Sequence, residues 1–273
     1  MRARAIAAGV AVVLLAALVG VVGRAALSGG DGAGRPPASG SAPATRAAKL
    51  PQPVGGSTTF DPAAALGGSL PRGTSLIATA RSRRVTVRSK PGAGSSRTVE
   101  ARQESGRHIP LKFSVVKRHG TWVKAYLPTR PNLSTGWIRA GDVTLSATPY
   151  RIAVRLKPHQ LVLYKGGKPM LRTPIAKGAA VSPTPTGRYF VTDLLRPPDP
   201  ASFYGPYALG LSAHSPVYTS FEGGDGQVGI HGTNQPEVLG QDVSHGCIRV
   251  GNGAITKIAK LVPLGTPVEI SRS

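Results

Sequence analysis

Acidic residues and cysteine are what this sequence has least of. Its 273 residues hold 12 Asp and Glu against 34 Lys and Arg, a formal net charge of +22 at pH 7, and one cysteine, Cys247. A single thiol excludes an internal disulfide, and a lone thiol in an oxidising compartment needs a reason to be there. Many lone cysteines are inert small hydrophobes; the residues around Cys247 argue otherwise. Aromatic side chains make up only 5%. With no aromatic RNA-binding signature, helix-turn-helix pattern or zinc-finger spacing, the basic charge does not mark a nucleic-acid-binding protein. Glycine and proline are plentiful instead, at 35 and 25. That profile suits a turn-rich, strand-rich chain with a modest Val, Ile and Leu core, not a helical bundle. No internal repeat is visible.

The positive charge is unevenly spread. Residues 1–149 carry 21 Lys and Arg against 5 acids, and residues 150–273 carry 13 against 7. A surface that basic attracts polyanions, here an anionic wall polymer or lipid headgroups, because residues 1–27 read as an export segment. Residues 5–23 are uninterruptedly apolar or small, behind Arg2 and Arg4. At about 1.5 Å per residue the run can span a bilayer core of roughly 30 Å. The flanking charge leaves Met1 inside and the remainder outside. An N-terminal single-pass anchor is favoured, with a cleaved signal as the alternative. Residues 28–73 are rich in Gly, Ala, Pro, Ser and Thr and read as a disordered linker.

Residues 74–148 hold short alternating runs at 84–88, 113–116, 121–125 and 136–138, separated by turns at Pro91-Gly92, His119-Gly120 and Pro131-Asn132. Period-two runs at that spacing predict a small antiparallel β-barrel. With Gly136-Trp137-Ile138-Arg139 near its end, it resembles the bacterial Src-homology-type barrels. Residues 149–273 predict strands at 151–156, 160–164 and 169–175, the last two joined by Lys165-Gly166-Gly167-Lys168, a hairpin signal. Further strands are expected at 188–195, 228–230 and 266–271. One helix is expected at 252–261, where Ile255, Ile258, Ala259 and Val262 share a face. Residues 196–216 show no periodicity and read as a long functional loop.

Chemistry concentrates between His231 and Arg249, where two histidines, the only cysteine and an arginine lie close together. A thiol with a pKa of about 8.5 is mostly protonated at neutral pH, so a nucleophilic cysteine needs a base. The base in turn needs an acceptor for its other ring N–H. His231 can fold back onto Cys247 across the intervening loop. His245, two residues before the thiol, faces the same side of an extended segment without necessarily aligning for proton transfer. His231, His245 and Cys247 could also supply three zinc ligands, but Gly246 before the thiol favours a backbone opened towards a reacting group.

His231-Gly232-Thr233 followed by Ser244-His245-Gly246-Cys247-Ile248-Arg249 resembles the signature of the L,D-transpeptidase catalytic domain family. The Tyr164–Lys168 hairpin, 183–187, Tyr204-Gly205-Pro206-Tyr207 and 223–231 fit the same resemblance. It implies a mainly β fold: a sandwich or barrel catalytic domain with one helix, behind the small N-terminal barrel. It implies Cys247 as nucleophile, His231 as base and the Gly232 carbonyl orienting the imidazole. His245 and Ser244 would shape the site and polarise the scissile carbonyl of a bound substrate, and amides around Gly246 and Cys247 would form an oxyanion hole, worth roughly 3 kcal/mol per donor elsewhere. Arg249 would grip a substrate carboxylate, with Tyr204, Tyr207 and His214 as candidate lid residues. The implied substrates are peptidoglycan stem peptides, joined by 3→3 cross-links with release of D-Ala. Carbapenem-type inhibitors are expected, and no metal or organic cofactor is called for. The alternatives are an L,D-carboxypeptidase or wall endopeptidase using the same pair, and a non-catalytic wall-binding protein.

Overall fold

The computed structural model describes residues 70–273 apart from 102, 105–106 and 221–223, all within one compact unit. The expected membrane segment and most of the expected linker lie outside the described residues.

The leading part is a seven-stranded antiparallel sheet. Its strands are β1 (Ser75–Ala80), β2 (Arg84–Lys90), β3 (Ala93–Glu100), β6 (Lys112–His119), β7 (Trp122–Tyr126), β8 (Thr135–Arg139) and β9 (Val143–Thr148). A two-residue ladder, β4 (Gln103–Glu104) with β5 (Arg107–His108), stands apart. Spatial order is β3-β2-β8-β7-β6-β1-β9, and among the described residues the two end strands do not pair with each other. Alternation sets the register: Val85 and Val87 face inward while Arg84 and Thr86 face out, as a half-buried strand requires. These valines join Phe113, Val123, Ile138 and Val143 in a core of their own. The sequence gives no sign of β3, because Val99 is its one buried residue.

The second part has nine strands and one helix. The strands are β10 (Tyr150–Arg155), β11 (Gln160–Lys165), β12 (Lys168–Gly178), β13 (Gly187–Leu195), β14 (Ala208–His214), β15 (Gln227–His231), β16 (Asp242–Ser244), β17 (Ile248–Val250) and β18 (Pro267–Ser271). The helix is α1 (Asn252–Leu261). Two strands change partner along their length. β13 pairs with β18 through Gly187–Phe190 and with β14 from Val191 onward. β12 pairs with β11 up to Pro174, then with β17 through Ile175 and Ala176. Strands that switch sheets turn the corners of a sandwich, and the β11–β12 pairing closes this one into a barrel. Between the layers lie Ile152, Leu161, Leu163, Ile175, Leu211, Ile230 and Ile248, with Ile255 and Ile258 of α1 packed on them.

One expectation is overturned. Residues 208–214, expected within a functional loop, form β14, paired on both sides and buried from Leu209 to His214. A strand covered on both faces has no reason to alternate, and its small residues hid it further. At Gly210 an added Cβ would sit 2.2 Å from the Asp193 carboxylate. Leu211→Ala should therefore cost about 2–5 kcal/mol in urea unfolding, the cost of a core truncation. A loss under about 0.5 kcal/mol, typical of a surface loop, would contradict this placement.

Candidate active site

Two strands deliver the site. β15 and β17 are parallel neighbours, with Ile230 opposite Ile248 and His231 opposite Arg249. The isoleucines are buried in the core, which sends His231 and Arg249 to the other face. Cys247 immediately precedes β17 and is half-buried. The Gly229 N–H donates to its Sγ at 3.4 Å, a contact that favours a thiolate.

His231 is 2% exposed and its Nδ1 lies 2.7 Å from the Gly232 carbonyl oxygen. A carbonyl can only accept, so Nδ1 carries the proton and Nε2 is left with a lone pair. Tyr204 and Phe203 wall the ring at centroid distances of 5.0 and 5.7 Å. Burial pushes the imidazole pKa down to about 4, with the Arg249 charge adding to the fall and the Gly232 hydrogen bond opposing it. The resting imidazole is neutral at pH 7, an acceptor ready for a proton and not the standing partner of an ion pair.

The backbone that holds His231 is packed without room for side chains. A Cβ on Gly232 would meet Asn252 Oδ1 at 2.3 Å, and one on Gly205 (φ +65°) would lie 2.7 Å from the Gly232 Cα. Asn252 Oδ1 accepts the Thr233 N–H at 2.9 Å, and the Tyr207 carbonyl accepts the Gly232 N–H at 3.2 Å. Asn252 opens α1, yet its side chain braces the histidine loop and makes no cap. The sequence reading missed that role, and nothing local could have signalled it.

Around the thiol, two expected roles change. Ser244 is 3% exposed; its hydroxyl donates to the Cys247 carbonyl at 2.6 Å and accepts the Gly246 N–H at 3.1 Å. It braces the cysteine turn and does not face a substrate, and the Gly246 amide it engages is not an open oxyanion donor. Gly246 instead supplies a φ of +119°, which a side chain would oppose. Its carbonyl accepts from Thr184 Oγ1 at 2.9 Å, and that hydroxyl accepts the Gly178 N–H at 2.9 Å. Upstream, Asp242 bonds Lys177 and His159, each at 2.5 Å, which hold its carboxyl below the usual range. His245 is exposed, with the Tyr218 ring edge-on at 5.8 Å.

Arg249 is 6% exposed, its guanidinium 4.1 Å from the Phe203 ring centroid. Nη1 donates to Gln235 Oε1 at 3.2 Å, while the buried Nε has no partner among the described residues. Burial lowers its pKa, and the Cys247 and Tyr204 charges oppose that. Tyr204 and Arg249 thus gather around His231. The other two expected lid residues do not. Tyr207 packs on the core beneath the histidine loop, and His214 is buried at the end of β14, bonded to Asn132 and Asp225. Among the described residues, no three His, Cys, Asp or Glu side chains group as metal ligands would.

Residues 149–270 match the L,D-transpeptidase catalytic domain family, YkuD. A Bacillus licheniformis protein named "Putative L,D-transpeptidase YkuD" is 34% identical over 165 residues, covering 58% of this chain and 92% of that one. Its namesake from Bacillus subtilis strain 168 is 33% identical over 154 residues, 54% of this chain and 85% of its own. A solved L,D-transpeptidase from Mycobacterium smegmatis aligns with 57% of this chain and 79% of its own, at 13% identity and a TM-score of 0.38. The chain belongs to the L,D-transpeptidase catalytic domain family.

The depressed His231 pKa has a measurable consequence for stability. The unfolded histidine takes its proton near pH 6.5 and the folded one near 4. Between those values the unfolded state binds more protons, so stability falls as pH drops through that window. Melting of the purified protein at pH 7 and at pH 4.5 should show this loss, and His231→Gln should make it smaller. An unchanged pH dependence in the variant would mean that His231 titrates normally.

Proposed function

We propose that the chain is an exported peptidoglycan L,D-transpeptidase, forming 3→3 cross-links through a thioester on Cys247. The observation that carries the reading is the neutral His231, fixed by the Gly232 carbonyl with Nε2 deprotonated, on the strand beside Cys247. As Sγ attacks the carbonyl carbon of the third stem residue, its proton passes to His231 Nε2. The tetrahedral intermediate collapses with cleavage of the C–N bond to D-Ala, and the imidazolium returns the proton to the leaving amine. The side-chain amine of a neighbouring stem then attacks the thioester and gives its proton to His231. The new amide forms as the thiolate leaves, and it recovers the proton from the imidazolium. Water in place of the amine would make the same site a carboxypeptidase.

Arg249 supplies the positive charge for a substrate carboxylate, and its unpartnered buried Nε is a donor that such a group would satisfy. Two further parts of the reading come from the sequence alone. Residues 1–27 would anchor the protein outside the cytoplasmic membrane, and the basic leading half would hold it to an anionic wall surface.

A carbapenem tests the reading, because its strained lactam carbonyl imitates the donor amide and its carboxylate the stem terminus. Intact-mass measurement should show one adduct, on the peptide containing Cys247, absent from Cys247→Ala and forming at least about tenfold more slowly in His231→Ala. Purified tetrapeptide muropeptides should yield 3→3 dimers with loss of D-Ala. An adduct on a serine, or none while Cys247 still alkylates, would contradict the assignment. Arg249→Lys keeps the charge but loses the forked geometry. It should slow muropeptide use more than alkylation by iodoacetamide, and equal slowing would mean that Arg249 serves the thiol.

A further inference from the structure

The loop between β7 and β8 belongs to the leading sheet and takes no part in the chemistry above, yet it grips the catalytic part at one particular place. Arg130 Nη1 donates to the carbonyl of Ser215, and Nη2 to those of Tyr218 and Asp225, each at 2.9 Å. Asn132 brackets His214, donating from Nδ2 to its carbonyl at 2.7 Å and accepting its N–H at 2.9 Å. One side chain therefore finishes β14 as a neighbouring strand would, and the other gathers both ends of the β14–β15 connection to a single guanidinium. Gly226 (φ +75°) makes the close approach possible, since a Cβ there would lie 2.0 Å from the Tyr218 carbonyl and 3.0 Å from Arg130 Nη2. The gathered backbone is tied internally as well. The Ser215 N–H donates to the Gly226 carbonyl at 2.8 Å, and Ser215 Oγ accepts the Tyr218 N–H at 3.0 Å. Leu133 seats the loop itself, with its Cδ atoms where a Gly187 side chain would be.

What this clamp aims is Tyr218, whose ring stands edge-on to His245, two residues before Cys247. We infer that Arg130 and Asn132 are positioning residues for acyl transfer, acting through Tyr218 on His245, so that the leading sheet sets the geometry in which the thiol meets a peptide-like donor. The inference rests on the transpeptidase reading. It makes the leading sheet a part of the active site's framework, where a mere spacer would leave the site indifferent to it.

The test uses the full chain as wild type, Arg130→Ala, Arg130→Lys, Tyr218→Ala and the Arg130→Ala/Tyr218→Ala double variant. Two rates are compared: acylation of Cys247 by a carbapenem, and its alkylation by iodoacetamide. Misplacing His245 should slow acylation about tenfold in Arg130→Ala, with alkylation held within about twofold because the small reagent needs only the thiol. Arg130→Lys should recover part of the loss. If Tyr218 is the link, the double variant should be no slower than Tyr218→Ala alone. Wild-type acylation by a folded Arg130→Ala, or a double variant slowed by the product of the two single losses, would overturn the inference. Should Arg130→Ala fail to fold, Arg130→Lys and Asn132→Ala decide it: acylation falls selectively if the inference holds, and equal loss in both reactions overturns it. A wild type that alkylates but never acylates overturns the transpeptidase reading itself, and this inference with it.

Discussion

The proposed chemistry of this chain hangs on a two-position ladder, Ile230 with Ile248 and His231 with Arg249. Because those strands are parallel, the chain cannot turn directly from one to the other, and it needs a crossover of a dozen or more residues. That requirement gives the spacing of the sequence motif a physical meaning. The stretch between His231 and Cys247 is the length of chain needed to bring β17 back alongside β15 in the same direction. Burying the two isoleucines fixes the register, and a slip of one residue would exchange His231 and Arg249 with core positions. Catalytic geometry and core packing are therefore the same constraint seen from opposite faces of the sheet.

Much of the fold is legible because local pattern and environment agree. Period-two strands such as β2 and β7, the Gly166-Gly167 hairpin with φ +57° and +80°, and the apolar face of α1 each carry their own signal. Two kinds of strand carry none. β14 is buried on both faces and β3 is exposed along nearly all its length, so neither alternates. The site shows the same division. His231 and Cys247 stand out by residue type and spacing, Gly232 only through the family resemblance, and the structure puts them on or beside adjoining strands. The family resemblance implies a Ser244 that polarises the scissile carbonyl and an oxyanion donor at the Gly246 amide. The structure turns them towards each other, since a cysteine turn with φ +119° needs its own internal bonds. Asn252, Gly205 and Arg130 act across 19, 27 and 85 or more positions on the residues they hold. A contact that distant leaves no mark on local composition.

The electrostatics of the site explain why its histidine is buried so completely. An exposed imidazole beside a cationic Arg249 would spend part of its time protonated at mildly acidic pH, and a protonated imidazole accepts nothing. Burial and the neighbouring charge both drive His231 towards neutrality, while the Gly232 carbonyl opposes them and fixes the tautomer. The cost is that the imidazolium of the proposed mechanism is disfavoured by the same surroundings. Arg249 helps to resolve this, because its charge, which disfavours the imidazolium, favours negative charge on Cys247. The proposed proton transfer from sulfur to nitrogen would thus create one charge that Arg249 opposes and one that it supports. Little net bias against transfer comes from Arg249 itself, and the remaining burden falls on desolvation. A bound substrate carboxylate would neutralise Arg249 and lift both effects together, its depression of the His231 pKa and its support for negative charge on Cys247. An arginine placed to act on both partners can therefore take up an anionic group without tipping the proton balance between sulfur and nitrogen, and desolvation of His231 stays the larger influence on that balance.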